Sequence, residues 1–556
     1  MLSSLAQNLP AQPKSAPNGK FVDITQKLGV DFTRVASHTT RKYLLETMGS
    51  GVALFDYDND GRLDIFFSNS GRIDEPMPKD AIPQKDSPKY WNRLYHQKSD
   101  GTFEDVTEKA GVSGVGYSTG IAVGDYDNDG HEDLFVAGYG GSTLYHNNGN
   151  GTFTDVSQAA GVAGSGWATS AAWLDYDNDG RLDLIVVRYL QWAFDDLYCG
   201  ERREGYRSYC HPDIFNPVSV LLYHNDGGGT FSEVSHKAGI DKAIKGLGVA
   251  IADYDHDGWM DILVANDSVP ESLFHNRANG TFEEVGMVSG VAMDGGGASF
   301  AGMGVDFEDY NNDGWPDVVI TDLANQRYAL YKNSGDGSFD YATNSTGFGA
   351  ITLSHSGWGV RFMDFDNDGW KDLFIAQSHV MDTIEINEPH LHYKEPPALL
   401  WNDRGDSFVD VSPGSGEIFS QKWVGRGLAT GDIDNDGRLD VVVTSNDGPA
   451  WVLKNETTTT NHWITLKLVG TKSNRDGIGA QIKLSTDIGD QYATVTTAGS
   501  YQSSSDVRVH FGLGAAATIK LLHVRWPSGI VQDLKDVKAN QILTVTEPSA
   551  SAKQPN

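Results

Sequence analysis

The spacing Asp-x-Asp-x-Asp-Gly-x-x-Asp occurs seven times in this chain, with a single exchange of Asn for Asp, and gathers side-chain oxygens at positions 1, 3, 5 and 9 of each copy. The first copy, inside "GVALFDYDNDGRLDIFF", supplies Asp56, Asp58, Asp60 and Asp64. The next three supply Asp125, Asp127, Asp129 and Asp133; Asp175, Asp177, Asp179 and Asp183; and Asp253, Asp255, Asp257 and Asp261. The last three supply Asp309, Asn311, Asp313 and Asp317; Asp364, Asp366, Asp368 and Asp372; and Asp432, Asp434, Asp436 and Asp440. Two carboxylates about 4 Å apart repel by roughly 4 kcal/mol at an effective dielectric near 20, so a loop this acidic is expected to close around a cation. Glycine at position 6 permits the sharp turn of the first part of an EF-hand loop, and position 7 then offers a backbone carbonyl. That position is held by Arg62, His131, Arg181, Trp259, Trp315, Trp370 and Arg438, which share no ligand chemistry. An all-oxygen, flexible cage favours calcium over magnesium, which demands a tight octahedron. Up to seven calcium ions are expected, with the fifth site the weakest because Asn311 brings no charge. One Asp-Asn-Asp-Gly word alone would read as a turn; seven in register do not.

Each acidic word lies between two short apolar runs, such as "GVALF" and "DIFF", and is followed by a second recurring word, "LYHQKSDGTFEDVTEKAGV" in the first copy. The unit therefore reads as four short strands, A to D, with C and D joined by an Asn/Gly/Asp hairpin turn. Repeated seven times, it predicts an all-β fold: a seven-bladed β-propeller with calcium-binding loops and small-residue A strands packed around the axis, plus a small C-terminal β domain. The seventh unit runs into "ETTTTNHW" without a "GTF" strand, whereas "GKFVDITQKLGV" at 19–30 matches "GTFEDVTEKAGV" at 101–112. The N-terminal strand is thus expected to close the last blade. The expected organisation is a disordered leader over 1–18, the propeller over 19–457, the β domain over 458–547 and a disordered tail over 548–556.

The formal charge of −32 is largely metal-binding equipment, since the seven loops hold more than a third of the acidic residues and seven doubly charged ions would offset nearly half of it. Such acidity argues against a nucleic-acid partner. No apolar run reaches the roughly 18 residues that a membrane span needs. The opening "MLSSLAQNLPAQPKSAPNGK" lacks a basic start and an apolar core, so a signal peptide is read as absent or already removed.

The seven blocks resemble FG-GAP or VCBS repeats, the calcium-binding blades of integrin α-subunit propellers. The words "SNRDGIGAQI" at 473–482, "GSYQSSSDVRVHFGLG" at 499–514 and "VRWPSG" at 524–529 resemble the ASPIC/UnbV domain of the cartilage acidic protein-like family. The resemblance implies an extracellular or periplasmic calcium-binding propeller. Similar propellers include carbohydrate-active dehydratases or lyases, and UnbV-type proteins occur in natural-product biosynthetic clusters. An enzyme of lyase, dehydratase or cyclase type is therefore the alternative to a ligand-binding protein. The two cysteines, Cys199 and Cys210 in "YCGERREGYRSYCHP", are read as a disulfide, with a metal site including His211 or two free thiols as the rivals.

The segment from the last acidic residue to strand C spans 11 to 13 residues in blades 2, 4, 5 and 7 but 30, 39 and 27 in blades 1, 3 and 6. All three insertions then decorate the face opposite the acidic loops, which marks that face as the binding side. Residues just beyond strand B should ring its opening, among them Arg188, Asp267, Asp322 and His379, with Glu46 ahead of blade 1 pointing to the same place. Glu46 and His379 form the best acid/base pair available. No His-Glu-x-x-His, P-loop or dinucleotide fingerprint is present. The expected partner is a glycan, a protein or a small molecule on this face.

Overall fold

The computed structural model describes residues 16–203 and 205–549; most of the segments read as a leader and a tail, 1–15 and 550–556, lie outside the described residues. Seven four-stranded antiparallel sheets make up the larger part. In blade 1 the strands are Val52–Phe55, Asp64–Phe67, Arg93–Gln97 and Phe103–Asp105. The innermost strands neighbour one another in a closed cycle, from Val52–Phe55 of blade 1 through Tyr117–Gly124 and Ala168–Leu174 to Gly425–Gly431 of blade 7 and back. Blade 7 is completed by Phe21–Asp23, which pairs with Trp451–Asn455 in the register Phe21↔Asn455, Val22↔Lys454 and Asp23↔Leu453.

The A strands are buried on both faces, which explains their small residues. A Cβ on Gly51 would meet the Gln502 carbonyl oxygen at 1.7 Å, and one on Gly304 the Trp358 carbonyl oxygen at 2.0 Å. Between blades, the apolar faces of adjacent sheets pack together, as Phe55, Phe66 and Leu94 of blade 1 do on Ile121, Val123 and Leu134 of blade 2.

A polar belt tightens the ring from outside. The Asn that ends strand C donates its side-chain amide to a loop carbonyl of the preceding blade: Asn147 to Tyr57, Asn225 to Tyr126, Asn276 to Tyr176, Asn333 to Tyr254, Asn402 to Tyr310 and Asn455 to Phe365, each at 2.8 Å. Gln97 takes this place in blade 1 and reaches the Ile433 carbonyl of blade 7 at 3.0 Å.

The C-terminal part has a three-stranded sheet, in which His462–Val469 lies between Val509–Gly514 and Gln541–Thr546, and a four-stranded sheet ordered Asp490–Thr494, Gln481–Ser485, Thr518–Arg525 and Val531–Lys538. It sits on the acidic-loop face: the Arg475 amide donates to Asn128 at 2.7 Å, Gln481 donates to Asp253 at 2.6 Å and Arg508 donates to Asn435 at 2.9 Å. Residues 497–506 run on into the axial channel. There the Ser500 amide bonds the Val305 carbonyl at 2.6 Å, Ile121 donates to the Gln502 carbonyl at 3.0 Å and Leu54 donates to the Ser504 carbonyl at 3.1 Å. Ser500 and Gln502 both take φ near +60°, which folds this segment into a tight bend. At its tip the Tyr501 hydroxyl donates to the Met48 carbonyl at 3.0 Å, so the channel is filled from the loop side as far as the segment 43–48 that crosses its other end.

Among the described residues no helix is long and apolar enough to cross a membrane; the longest is Phe348–Thr352.

Candidate functional site

The acidic loops join strands A and B in every blade, and their carboxylates first of all shape the turn. In blade 1, Asp56 accepts the Asp60 and Gly61 amides, both at 2.9 Å, Asp60 accepts the Arg62 amide at 3.0 Å, and Asp64 accepts the Tyr57 and Gln97 amides at 3.3 and 2.7 Å. The residue at position 4 is left-handed in all seven loops, with φ between +55° and +62°. Where it is Asn, its amide crosses to the glycine carbonyl of the next loop, from Asn59 to Gly130 at 2.8 Å and onward to Asn435, which closes on Gly61 at 3.0 Å. Blade 4 is the exception: His256 stacks on Trp315 of blade 5 with ring centres 4.2 Å apart.

Ligand atoms of Asp56, Asp58 and Asp64 lie within 4.8 Å of one another, as do those of Asp58, Asp60 and His96, and of Asp127, Asp129 and His146. Burial pushes the position-1 carboxyls up, Asp125 and Asp175 to about 8 with neighbouring carboxylates adding to it, and Asp309 and Asp432 to about 7. Converging oxygen donors that are costly to ionise alone fit a hard divalent cation. These clusters can hold a metal ion.

Two features of the loops were not read from the sequence. The "LYH" histidines of blades 1 to 4, His96, His146, His224 and His275, stand 3.2 to 3.5 Å from the position-3 and position-9 aspartates. Lys332, Trp401 and Lys454 take their place in blades 5 to 7, and Lys454 pairs with Asp434 and Asp436. The recurring word was visible, but its reach to the loop was not. At position 7, Arg62, Arg181 and Arg438 pair with Asp60, Asp179 and Asp436 of their own loops, a side-chain role beyond the carbonyl.

On the opposite face, the insertions of blades 3 and 6, the segment ahead of blade 1 and the ends of blades 4 and 5 enclose an off-axis cavity of about 600 Å³; the blade 1 insertion, expected on the same face, does not line it. Leu44 and Met48 line it from the segment ahead of blade 1, and Leu247, Met303, Leu323 and Trp358 from blades 4 to 6. The blade 3 insertion supplies Tyr189, Tyr209, Pro212 and Ile214, and is closed by a disulfide between Cys199 and Cys210. Trp192 and Phe194 pack inward on Tyr43, Tyr139 and Trp167 and so hold this insertion to the ring.

The predicted site residues divide. His379 and Asp267 line the cavity; Glu46, Asp322 and Arg188 do not. Arg188 is engaged by Ser219, bonding its carbonyl at 2.8 Å. Glu46 is buried, accepts the Thr39 amide at 3.0 Å and is pushed up to about 7 by burial. His379 accepts the Met381 amide at 3.0 Å and is held down to about 4 by burial and the nearby Arg426 guanidinium. No hydrogen bond or ion pair joins Glu46 to His379. Two fully buried arginines escaped the sequence reading: Arg34 bonds Asn446 and Tyr117, both at 2.8 Å, and Arg426 lies 3.9 Å over the Trp358 ring. Isolated arginines in otherwise unremarked stretches give no signal of this.

These features define a β-propeller with acidic A–B loops, plugged by its own C-terminal β domain. The FG-GAP-like repeat model matches residues 56–136, 125–186, 195–264, 261–320 and 309–375, the ASPIC and UnbV model matches 470–552, and the chain belongs to this family. It is similar to cartilage acidic protein 1 of Mus musculus, 24% identical over 337 residues that cover 58% of this chain and 48% of the relative. Similarity to the Homo sapiens protein is also 24%, over 328 residues, 57% of this chain and 46% of the relative. The chain thus spans about half the length of the curated relatives it matches. Among solved structures it is similar in fold to an Agrocybe aegerita lectin that recognises non-reducing terminal N-acetylglucosamine, with TM-score 0.39 and 17% identity over 66% of this chain and 88% of the lectin. It is also similar to YCF48 bound to D1 peptide, with TM-score 0.41 and 7% identity over 80% of this chain and 98% of that one.

Proposed function

We propose that this protein is an exported, calcium-stabilised propeller that binds a ligand in the cavity on the face opposite its acidic loops. The observation that carries the reading is the cavity itself: about 600 Å³, walled by apolar side chains from the blade 3 and blade 6 insertions, the segment ahead of blade 1 and blades 4 to 6, with a few polar groups at its edge. Calcium in up to seven loops has a mechanical role here, neutralising carboxylates that otherwise repel. The disulfide favours an oxidising compartment, extracellular or periplasmic. Binding is preferred to acid/base turnover because Glu46 and His379 are each engaged by a backbone amide and not by one another.

The test uses the full chain and the neutral apolar fluorophore N-phenyl-1-naphthylamine. Saturable binding that Leu247→Trp abolishes, with the melting curve retained, supports the cavity as the site. Absence of binding, or binding indifferent to Leu247→Trp, counts against it.

A further inference from the structure

The cavity is electrically lopsided. Asp267 forms part of its wall at the end of strand B of blade 4, where its Oδ2 accepts the Tyr189 hydroxyl and its Oδ1 accepts the Ser268 hydroxyl at 2.8 Å. Burial pushes this carboxyl up, and the two hydroxyl donors work against that by favouring its ionised, acceptor-only form. Among the described residues no lysine, arginine or histidine lies within ion-pair distance of it: the neighbouring Lys245 and His211 pair instead with Asp213, at 2.8 and 3.4 Å. Behind Asp267 stand two more carboxyls without a cation. Asp322 accepts the Ala301 and Leu323 amides at 3.1 and 2.6 Å and leaves Oδ2 unbonded; Glu271 accepts the Asn266 amide at 2.5 Å and leaves Oε1 unbonded. The Arg426 guanidinium is fully buried and lies over the Trp358 ring.

An acidic group in an apolar enclosure is costly while its counter-charge is missing. Tyr189, Tyr209 and Trp358 add aromatic surface, of which a ring face attracts a positive charge, and Met48 and Met303 add polarizable surface suited to an irregular apolar body. Resting on the cavity reading above, we propose that the ligand is an organic amine, whose protonated nitrogen pairs with Asp267 and whose apolar body lies against Met48, Leu247, Met303 and Leu323. A carboxylate ligand is disfavoured because this wall offers it the Asp267 carboxyl and, among the described residues, no cation that is not already paired. A neutral alcohol satisfies a hydrogen bond but not the charge.

The experiment displaces N-phenyl-1-naphthylamine from the full chain with 4-phenylbutylamine, 4-phenylbutanol and 4-phenylbutyrate at pH 7. The amine is expected to compete at least tenfold better than the alcohol, and the carboxylate worst. Asp267→Asn should bring the amine down to the level of the alcohol, each competition being read against that variant's own affinity for the fluorophore. The series on the unaltered protein decides the matter even where that variant does not fold. Equal competition by amine and alcohol, or an amine unaffected by Asp267→Asn, overturns the amine assignment and leaves the cavity reading in place. Failure of the fluorophore to bind, or its indifference to Leu247→Trp, overturns both.

Discussion

At the scale of single residues, the molecule depends on side chains that bond across blades. Asn276 donates to Tyr176 of the preceding blade at 2.8 Å and to Met260 of its own at 3.2 Å, and it is fully buried. Asn276→Ala strands two buried carbonyls, each costing about 1–3 kcal/mol, so a loss of about 2–4 kcal/mol is expected in denaturant unfolding. The exposed Asn148→Ala, at an ordinary backbone conformation, should cost well under about 1 kcal/mol, because its partners Thr152 and Thr154 are open to water. Equal losses in the two variants would remove the belt from the account. His379 gives a second test. Its folded pKa of about 4 lies below the ordinary 6.5, so the unfolded chain binds its proton more tightly; stability is full above 6.5 and lost as pH falls towards 4. That loss is on the order of 3 kcal/mol, and the difference between the protein and His379→Gln across pH 6.5 to 4 measures it. A pH-independent difference contradicts the buried neutral imidazole. The acidic loop residues were legible because charge, glycine and spacing all repeat. The bonds of Asn276 were not, since its partners are carbonyls, which any residue can supply.

At the scale of elements, the A–B loops and the closing strand carry the expectations most open to measurement. On the proposed reading the clustered carboxylates bind calcium in the folded state alone, so chelation should lower the melting temperature substantially, and added calcium should restore it. An unchanged melting curve for protein shown by metal analysis to be calcium-free contradicts this. Phe21–Asp23 covers the edge of Trp451–Asn455, and deleting residues 1–31 should expose that edge and bring aggregation, whereas deleting 1–15 should change little. Equal behaviour of the two truncations would show that blade 7 holds without its borrowed strand. The strands were readable from the short apolar runs and hairpin words, and the insertions from their lengths. What the insertions build was not readable: a cavity wall is made by Leu247, Met303 and Trp358, which come from three blades and follow no local pattern.

At the scale of the whole molecule, the two parts of the chain form one folding unit. The word "GSYQSSSD" stands out in the sequence, yet nothing in it says that it enters another domain, because a segment filling a channel has no periodicity of its own. Its backbone and serines satisfy the inward amides of Leu54, Ile121 and Val305, together with Val52, Val123 and Thr430, which receive Ser503, Ser504 and Ser505 at 3.1 to 3.2 Å. Removing residues 458–556 leaves those amides to water and uncovers the loop face. The shortened chain is therefore expected to lose cooperative unfolding. Tyr501 probes the same coupling more finely. It is fully buried, its ring lies 5.0 Å from that of Trp358, and it packs in the cluster with Met48, Leu247 and Met303 that lines the ligand cavity. Tyr501→Ala should cost about 3–5 kcal/mol, as for other large buried aromatics. It should also change the affinity for N-phenyl-1-naphthylamine severalfold, since the void opens beneath the cavity floor. Val531→Ala, an exposed position in the same C-terminal domain, should do neither. Two-state unfolding of the shortened chain at the full-length temperature, or a Tyr501→Ala protein with unaltered stability and affinity, would mean that the plug only occupies the channel and does not tie the C-terminal domain to the binding face.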